Sequence, residues 1–350
     1  MILALVHRLA GRPAWIRWGL LAAGLFLAAV LPWVLYPPVA TDILCWGLFA
    51  VAFDLLLGHA GLLSFGHAAF WGGSAYVTGL IALHSGLPFY AAVLGGAVAA
   101  ALLALPIGYL AVRRSGIYFA MITLAFAQMV YFVANQWSAV TGGENGLQGI
   151  PRTLPGADLS DAFTFYYAAL PVVLLGLAAA HRIVRSPFGR VTAAIRDNPD
   201  RVRALGYSAD RYKLTVFTAS AFLSGLAGGL FAVNHGFASL QEVDWTTSGK
   251  VVVMTVLGGI GTLWGSLVGA AAIVRLEDWL STAGFEQTDL VTGGVFIVVV
   301  LLFRQGLWGT ATHLLRLRAP SAPPEEPEAD AESPAHAGGG GGRGFTARAK

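Results

Sequence analysis

Long apolar runs separated by short polar segments dominate the chain. The runs repeatedly approach the roughly 20 residues that an α-helix needs to cross a bilayer. Because they are continuously apolar rather than alternating, they favour helices over the strands of a membrane barrel. The pattern predicts an all-α polytopic membrane protein with about ten transmembrane helices, including glycine-rich segments that are broken or re-entrant. The predicted spans are Gly19–Leu35, Val39–Leu57, His67–Leu83, Phe89–Val112, Ile117–Trp137, Phe163–His181, Leu214–Val233, Val251–Trp264, Ser266–Leu280 and Leu290–Phe303.

The basic residues orient these spans. Lys and Arg concentrate in the cytoplasmic loops of helical membrane proteins. If both termini are cytoplasmic, all of the 22 Lys and Arg lie on the cytoplasmic side except Arg152, Lys250 and Arg275. The bias therefore predicts two cytoplasmic termini and an even number of spans, a condition that eight spans would also meet.

The predicted spans and their orientation divide the chain into three regions. Residues 1–18 form a cytoplasmic N-terminal segment, residues 19–303 the membrane domain, and residues 304–350 a cytoplasmic tail. Beyond about Ala319 the tail consists mainly of Pro, Ala, Glu and Gly. Such a composition cannot bury a core, so most of the tail is predicted to be disordered.

One polar loop, residues 182–213, interrupts the apolar pattern. It carries eight basic and three acidic residues, which places it on the cytoplasmic side. Its middle, Arg190–Leu205, is patterned as a helix that ends at Gly206, because Val191, Ala194, Ile195, Val202 and Leu205 fall roughly on one face. A helix at the cytoplasmic surface suggests a docking site for a soluble partner.

Composition agrees with a membrane protein and excludes several other classes. Hydrophobic residues make up 56% of the chain and charged residues 12%, with a mean hydropathy of +0.66. A soluble domain carries about 25% charged residues. The single Cys45 excludes a disulfide framework, and His59 and His67 have no third ligand nearby, so no metal site is predicted. The net charge of +3 indicates interaction with the membrane surface and not with nucleic acid.

The sequence contains no catalytic or nucleotide-binding motif. A phosphate-binding loop of the form G-x-x-x-x-G-K-[ST] is missing, and no nucleophile elbow or H-E-x-x-H pair occurs. We therefore expect neither an enzyme nor a resident cofactor, and assign no catalytic residue. If the protein moves solute uphill, the energy has to come from a partner.

Glycines support two kinds of prediction. Small residues spaced four apart let helices approach closely in lipid. That spacing predicts helix packing at Gly225, Gly229, Gly261, Gly265 and Gly269. A glycine-rich segment that breaks a span can instead line a substrate pathway. That alternative applies to Gly58, Gly61, Ser64 and Gly66 after the second span, and to Gly116 before the fifth.

Asp54 is the clearest charge inside a predicted span. An ionisable residue in a span is a functional candidate by default, so Asp54 joins the predicted translocation pathway. The alternative is that it lies near the interface or caps a helix break at Gly58. Glu277 and Asp278, near the outer end of a later span, are predicted to be solvated.

Five segments, in order, resemble the permease subunits of branched-chain amino acid ABC importers, specifically the LivM type. They are GHAGLLSFGHAAFWGGSAY (58–76), RRSGIYFAMITLAFAQM (113–129), TGGENGLQGIP (141–151), and GRVTAAIRDNPDRVRALGYSADRYK (189–213) followed by VLGGIGTLWGSLVGA (256–270). The resemblance runs from about Val39 to Phe303. The second and third segments are similar to those that distinguish the LivM type from its sister LivH type.

This resemblance implies an integral subunit of the inner membrane, in a complex with a second, LivH-like permease, two ATP-binding subunits and a periplasmic substrate-binding protein. It also implies that Ala194, Ile195, Arg196, Asp197 and Gly206 belong to the cytoplasmic coupling helix that docks on the ATPase. The acidic outer face would meet the binding protein through Glu144, Asp158, Asp161, Glu242 and Asp244.

The solute stays open at this point. Many family members carry a neutral polar residue in place of Asp54 and often Tyr in place of His59, and the family also includes importers of urea, short amides and aromatic acids. An autonomous secondary transporter is the alternative from another class. It would need a network of charges inside the spans, whereas the sequence shows only Asp54.

Overall fold

The computed structural model describes residues 26–154 and 157–284, together with residues 291, 293, 294, 297, 306 and 307. Most of these residues are helical. Residues 26–34 form a helix, and the named helices follow as α1 (Pro37–Ala60), α2 (His67–Ser85), α3 (Phe89–Ala111), α4 (Ile117–Gln136), α5 (Ser138–Thr141), α6 (Ala162–Arg185), α7 (Pro187–Asp197), α8 (Pro199–Ala204), α9 (Ala209–His235), α10 (Leu240–Val243), α11 (Trp245–Gly258) and α12 (Leu263–Thr282). Four short strands are β1 (Leu147–Gln148), β2 (Thr153–Leu154), β3 (Ala157–Asp158) and β4 (Phe237–Ala238).

Helices α1 and α9 form the centre of the bundle. Helix α9 packs against α1, α2 and α3, while α1 also contacts α6 and α12. Both central helices bury most of their side chains, among them Phe49, Phe53 and Phe217. Helices α4 and α6 lie at the periphery and expose large apolar residues such as Met129 and Leu175. Exposed apolar side chains of this kind suit a bilayer.

Five helices among the described residues are long and apolar enough to cross a membrane, namely α1, α3, α4, α6 and α9. Helices α11 and α12 add a sixth candidate if the bent pair is taken as one span. The predicted span His67–Leu83 is helical but not among them, because His67, Ser74, Thr78 and several glycines make α2 more polar. The predicted span Leu290–Phe303 and most of Gly19–Leu35 lie outside the described residues.

The predicted eighth span, Val251–Trp264, contains a sharp break. Helix α11 ends at Gly258, and α12 starts at Leu263 with its axis turned by 117°. Gly259 and Gly261 adopt positive φ angles of 115° and 78° in the turn, a conformation that glycine allows at low cost. At 14 residues, α11 is about 21 Å long, which is shorter than the roughly 30 Å hydrocarbon core. The two helices therefore form a bent hairpin, as predicted for a broken or re-entrant segment.

The two segments that carry the acidic residues predicted for the outer face meet each other. Strand β1 pairs with β4 in an antiparallel register, Leu147 opposite Ala238. Nearby, Arg152 donates to the carbonyl oxygens of Val233 and Asn234 at the end of α9. Residues 138–154, 157–162 and 234–249 thus occupy one end of the bundle together.

The polar loop differs from its prediction. It is narrower than residues 182–213, because α6 continues to Arg185 and α9 begins at Ala209. The single helix predicted over Arg190–Leu205 is also wrong. Asn198 is extended before Pro199, since a residue that precedes proline avoids the helical conformation, and this divides the segment into α7 and α8.

Candidate functional site

Arg196, near the end of α7, lies across the end of α1. Its Nη1 atom donates a hydrogen bond to the carbonyl oxygen of Gly58 in the last turn of α1. Its Nε atom lies 3.4 Å from Oδ1 of Asp197, and the Arg196 side chain is 42% exposed. The last four carbonyls of a helix lack intrahelical partners and carry partial negative charge, so a guanidinium is a suitable partner there. The contact fixes the polar loop to the membrane helices.

Asp54 lies one turn earlier on α1 and is fully buried. Its Oδ1 atom accepts a hydrogen bond of 2.7 Å from the backbone N–H of Gly261, in the turn between α11 and α12. Its Oδ2 atom has no hydrogen-bond partner among the described residues. The carboxylate therefore joins α1 to the turn of the hairpin.

Two glycines make these contacts sterically feasible. A Cβ atom on Gly58 would lie 2.3 Å from Oδ1 of Asp54 and 2.5 Å from the backbone nitrogen of Gly261. Gly61 ends α1 with a φ of 70°, and a Cβ atom there would lie 2.6 Å from Cγ of Arg196. We call Asp54, Gly58, Gly61, Arg196 and Gly261 the junction. All five residues are candidates from the sequence, and the structure brings them together.

Gly306, after the predicted last span, lies beside the junction. Gly306 packs so closely on the hairpin turn that a Cβ atom on it would lie 2.6 Å from Cα of Gly259. Leu307 packs against the main hydrophobic core. Gly306 thus lies at the same end of the bundle as α7.

Helices α7 and α8 are capped and held by a small core of their own. Ser186 and Asn198 cap the two N-termini by accepting from the N–H groups of Gly189 and Arg201. The core of this unit consists of Ile195, Val202 and Ala209, with Val191 and Tyr212 packed against it.

The exposed face of this unit carries the other residues predicted for partner docking. Ala194, Asp197 and Gly206 are exposed, and Leu205, predicted on the apolar face, is 71% exposed. Arg203 pairs with Asp200 and Asp210 at 3.0 and 3.2 Å. Hydrogen bonds to Asp210 and Asp200 raise the pKa of Arg203, which keeps its charge fixed. The surface therefore combines charged side chains with the apolar Leu205 and is open to a soluble partner.

The remaining pathway candidates occupy different surroundings. Ser64 is fully buried and accepts from the N–H of Gly66, and a Cβ atom on Gly66 would lie 2.7 Å from the Thr123 carbonyl oxygen of α4. Gly116 precedes α4 with a φ of 62°, and no described atom lies within 4 Å of an added Cβ. Gly116 therefore owes its identity to backbone conformation and lies apart from the junction.

Four of the five glycines predicted for helix packing lie at helix contacts. Gly225 packs against α3, Gly229 against α2 and α3, and Gly265 and Gly269 against α11. Gly261 is the exception, because it lies in the turn between α11 and α12 and donates to Asp54 instead of packing within a helix.

Two polar contacts between helices were missed in the sequence. The fully buried His67 lies 2.9 Å from Oγ of Ser220, which donates to the Ala52 carbonyl oxygen. Lys250 of α11 pairs with Glu277 of α12 at 2.6 Å and lies 4.4 Å from the ring centroid of Trp46. Glu277 and Asp278 are therefore not simply solvated, since Asp278 also pairs with Arg275. Within the described residues, no group of three His, Cys, Asp or Glu could hold a metal ion.

Comparison with known families identifies the chain. The family described as "Branched-chain amino acid transport system / permease component" matches residues 37–300, which include the junction, α7 and α8. The chain belongs to this family. It is a permease-type, multi-pass membrane protein, and the resemblance seen in its sequence is confirmed.

Individual relatives agree with this assignment. The chain is 31% identical to the high-affinity branched-chain amino acid transport system permease protein LivM of Salmonella typhimurium, and 30% identical to that of Escherichia coli. Each match covers 82% of this chain and 73% of the relative. The autoinducer 2 import system permease protein LsrC of Klebsiella pneumoniae is 31% identical, over 46% of this chain and 49% of the relative. No solved structure matches the chain significantly.

Proposed function

We propose that this chain is the transmembrane permease subunit of an ATP-driven importer for branched-chain amino acids or related small solutes. The family and the two LivM relatives support the transport role and the solute class. The sequence has no phosphate-binding loop, so ATP hydrolysis takes place in a separate subunit. The partners are a second, LivH-like permease, two ATP-binding subunits and a periplasmic substrate-binding protein. The complex lies in the inner membrane.

The observation that carries the coupling role is the contact between Arg196 and Gly58. A helix pair that docks on an ATPase can drive transport only if it is attached to the membrane helices. Helices α7 and α8 form a capped unit with an exposed face, and Arg196 attaches it to the end of α1. In the proposed cycle, ATP binding moves α7 and α8, and the spans tilt around a central path that opens to alternate sides of the membrane.

The proposed topology has ten spans and two cytoplasmic termini. The polar loop, the end of α1 and Gly306 share one end of the bundle. The excess of basic residues in the polar loop supports the proposal that this end is cytoplasmic. The β1–β4 pair and the start of α11 lie at the outer end, facing the binding protein. Three acids predicted for that face are helix-capping residues, namely Asp161, Glu242 and Asp244. Glu144 is exposed and therefore accessible to the binding protein in this topology.

A permease for a different small solute is the second candidate. Similarity to LsrC relatives, whose names assign them to autoinducer 2 import, shows that related permeases handle other solutes. Uptake by cells that express the complete complex distinguishes the candidates, with leucine, isoleucine and valine compared against urea, short amides and aromatic acids. Uptake of the three branched-chain amino acids alone supports the first candidate. Uptake of only another class of solute supports the second.

The partners are tested by purifying the tagged chain in mild detergent from its native membrane, followed by mass spectrometry. We expect a second permease and ATPases with phosphate-binding loops in the purified material. Arg190 lies exposed on α7 and provides a matched control for Arg196. Arg196→Glu should reduce ATPase recovery, and Arg190→Glu should reduce it less. Reproducible recovery of the folded chain alone would instead favour an autonomous transporter.

A further inference from the structure

Helices α11 and α12 are held together at both ends of their contact. Near the turn, a Cβ atom on Gly258 would lie 2.0 Å from the carbonyl oxygen of Gly265, and one on Gly269 would lie 2.0 Å from that of Met254. Toward the other end, Lys250 pairs with Glu277 at 2.6 Å. Close backbone packing and an ion pair together make the hairpin a rigid unit.

The turn of this hairpin rests on the end of α1. The backbone of Gly261 packs on Gly58, where an added Cβ atom would lie 2.6 Å from Cα of Gly261. The Asp54 carboxylate accepts the Gly261 N–H in the same place. Asp54 is fully buried, so water cannot replace this acceptor without opening the contact. At the turn, the buried Asp54 side chain and a tight backbone contact therefore join the hairpin to α1, in addition to the packing of α12 along α1.

The same turn of α1 is also fixed to α7. Asp54 and Gly58 are four residues apart, which places them one above the other on the helix. Gly58 offers its carbonyl oxygen to Arg196. A continuous chain of contacts thus runs from α7 through Arg196, Gly58 and Asp54 to Gly261.

We propose that Asp54 is a positioning residue that passes the movement of α7 to the α11–α12 hairpin. The inference rests on the proposed function, because it requires that ATP binding by a partner moves α7. It adds to that function the identity of the moving membrane element and of the side chain that connects it. Coupling between packed elements is demonstrated only when both elements respond. The responses of α7 and of the α11–α12 hairpin are therefore both measured.

The experiment uses the complete complex purified through the tagged chain, in a Cys45→Ala background. An environment-sensitive fluorophore is attached to Ile260→Cys in the hairpin turn or to Arg190→Cys on α7. Ile260 is 48% exposed and Arg190 is exposed, so both accept a label. Emission is recorded before and after addition of a non-hydrolysable ATP analogue. Asp54→Leu removes the acceptor, Asp54→Ser shortens it out of reach, and Asp54→Asn keeps an oxygen that can accept from Gly261.

We expect the analogue to shift the emission of both labels with Asp54 present. Asp54→Leu and Asp54→Ser should abolish the shift at position 260 and keep the shift at position 190, and Asp54→Asn should restore the shift at position 260. If Asp54→Leu does not assemble, Asp54→Ser decides. A shift at position 260 that persists in these variants, or a loss at both positions, overturns the role of Asp54 as the connection. Absence of any shift at position 190 with Asp54 present overturns the coupling role of α7 itself.

Discussion

Gly61 is the residue at which backbone conformation and the position of Arg196 depend on each other. Its φ of 70° lies in the left-handed region, where an L side chain costs about 1–2 kcal/mol. An added Cβ atom would also lie 2.6 Å from Cγ of Arg196 and push its guanidinium away from Gly58. Gly61→Ala should therefore lower stability by about 1 kcal/mol and in addition reduce ATP-driven uptake. The larger substitution Gly61→Leu should abolish uptake.

Gly86 is the matched control for this change. It ends α2 with a φ of 63°, and no described atom lies within 4 Å of an added Cβ. Gly86→Ala should cost a similar free energy of unfolding and leave uptake intact. Thermal unfolding and uptake are measured on both variants, and equal losses of uptake would show that backbone strain alone explains the effect.

Single residues could be selected from the sequence, but their contacts could not. Asp54 is a charge in an apolar run, and Gly58 and Gly61 belong to a glycine-rich cluster that follows it. The hydrogen bond from Gly261 to Asp54 spans 207 positions, and that from Arg196 to Gly58 spans 138. The sequence around one residue does not reveal its distant partner, because the contacts depend on how the helices pack. The sequence alone therefore assigns Gly261 to helix packing.

At the scale of elements, the Lys250–Glu277 pair tests the rigidity of the hairpin. The side chains are 31% and 26% exposed, and the Lys250 ammonium also lies over Trp46. Lys250→Met and Glu277→Gln should each lower the thermal midpoint, and the double variant should lose less than the sum. Residues in direct contact show interaction free energies of about 0.5–3 kcal/mol in such a cycle. Strict additivity would mean that the pair does not hold the hairpin.

The elements themselves followed closely from apolar runs. Helices α1, α3, α4, α6 and α9 coincide with predicted spans because each run is continuous and long. The bounds differ from the prediction where proline, glycine or a distant partner decides. Asn198–Pro199 divides the predicted surface helix, and Gly259 and Gly261 place the break expected of a glycine-rich segment inside the predicted span Val251–Trp264. Glu277 was predicted to be solvated because the sequence does not show that Lys250 lies opposite.

At the scale of the whole molecule, the proposed topology predicts which loops are accessible from each side. Gln148 is exposed in the segment that pairs with β4, and Leu205 is 71% exposed beside α8. Cys45 is buried and should not react. A membrane-impermeant maleimide should label Gln148→Cys in intact spheroplasts and Leu205→Cys only after permeabilisation. The reverse pattern would invert the orientation, and labelling of both in intact spheroplasts would place the two ends of the bundle on one side.

The proposed function requires that α7 couples an ATPase to solute movement through this chain. The most direct measurement is of ATP hydrolysis and leucine accumulation by the purified complex in proteoliposomes. We predict ATP-dependent accumulation by the unchanged complex and by Arg190→Ala. Arg196→Ala combined with Asp197→Ala should hydrolyse ATP with little accumulation, while inserting normally. Undiminished accumulation by that double variant, or accumulation without ATP, would contradict the claim.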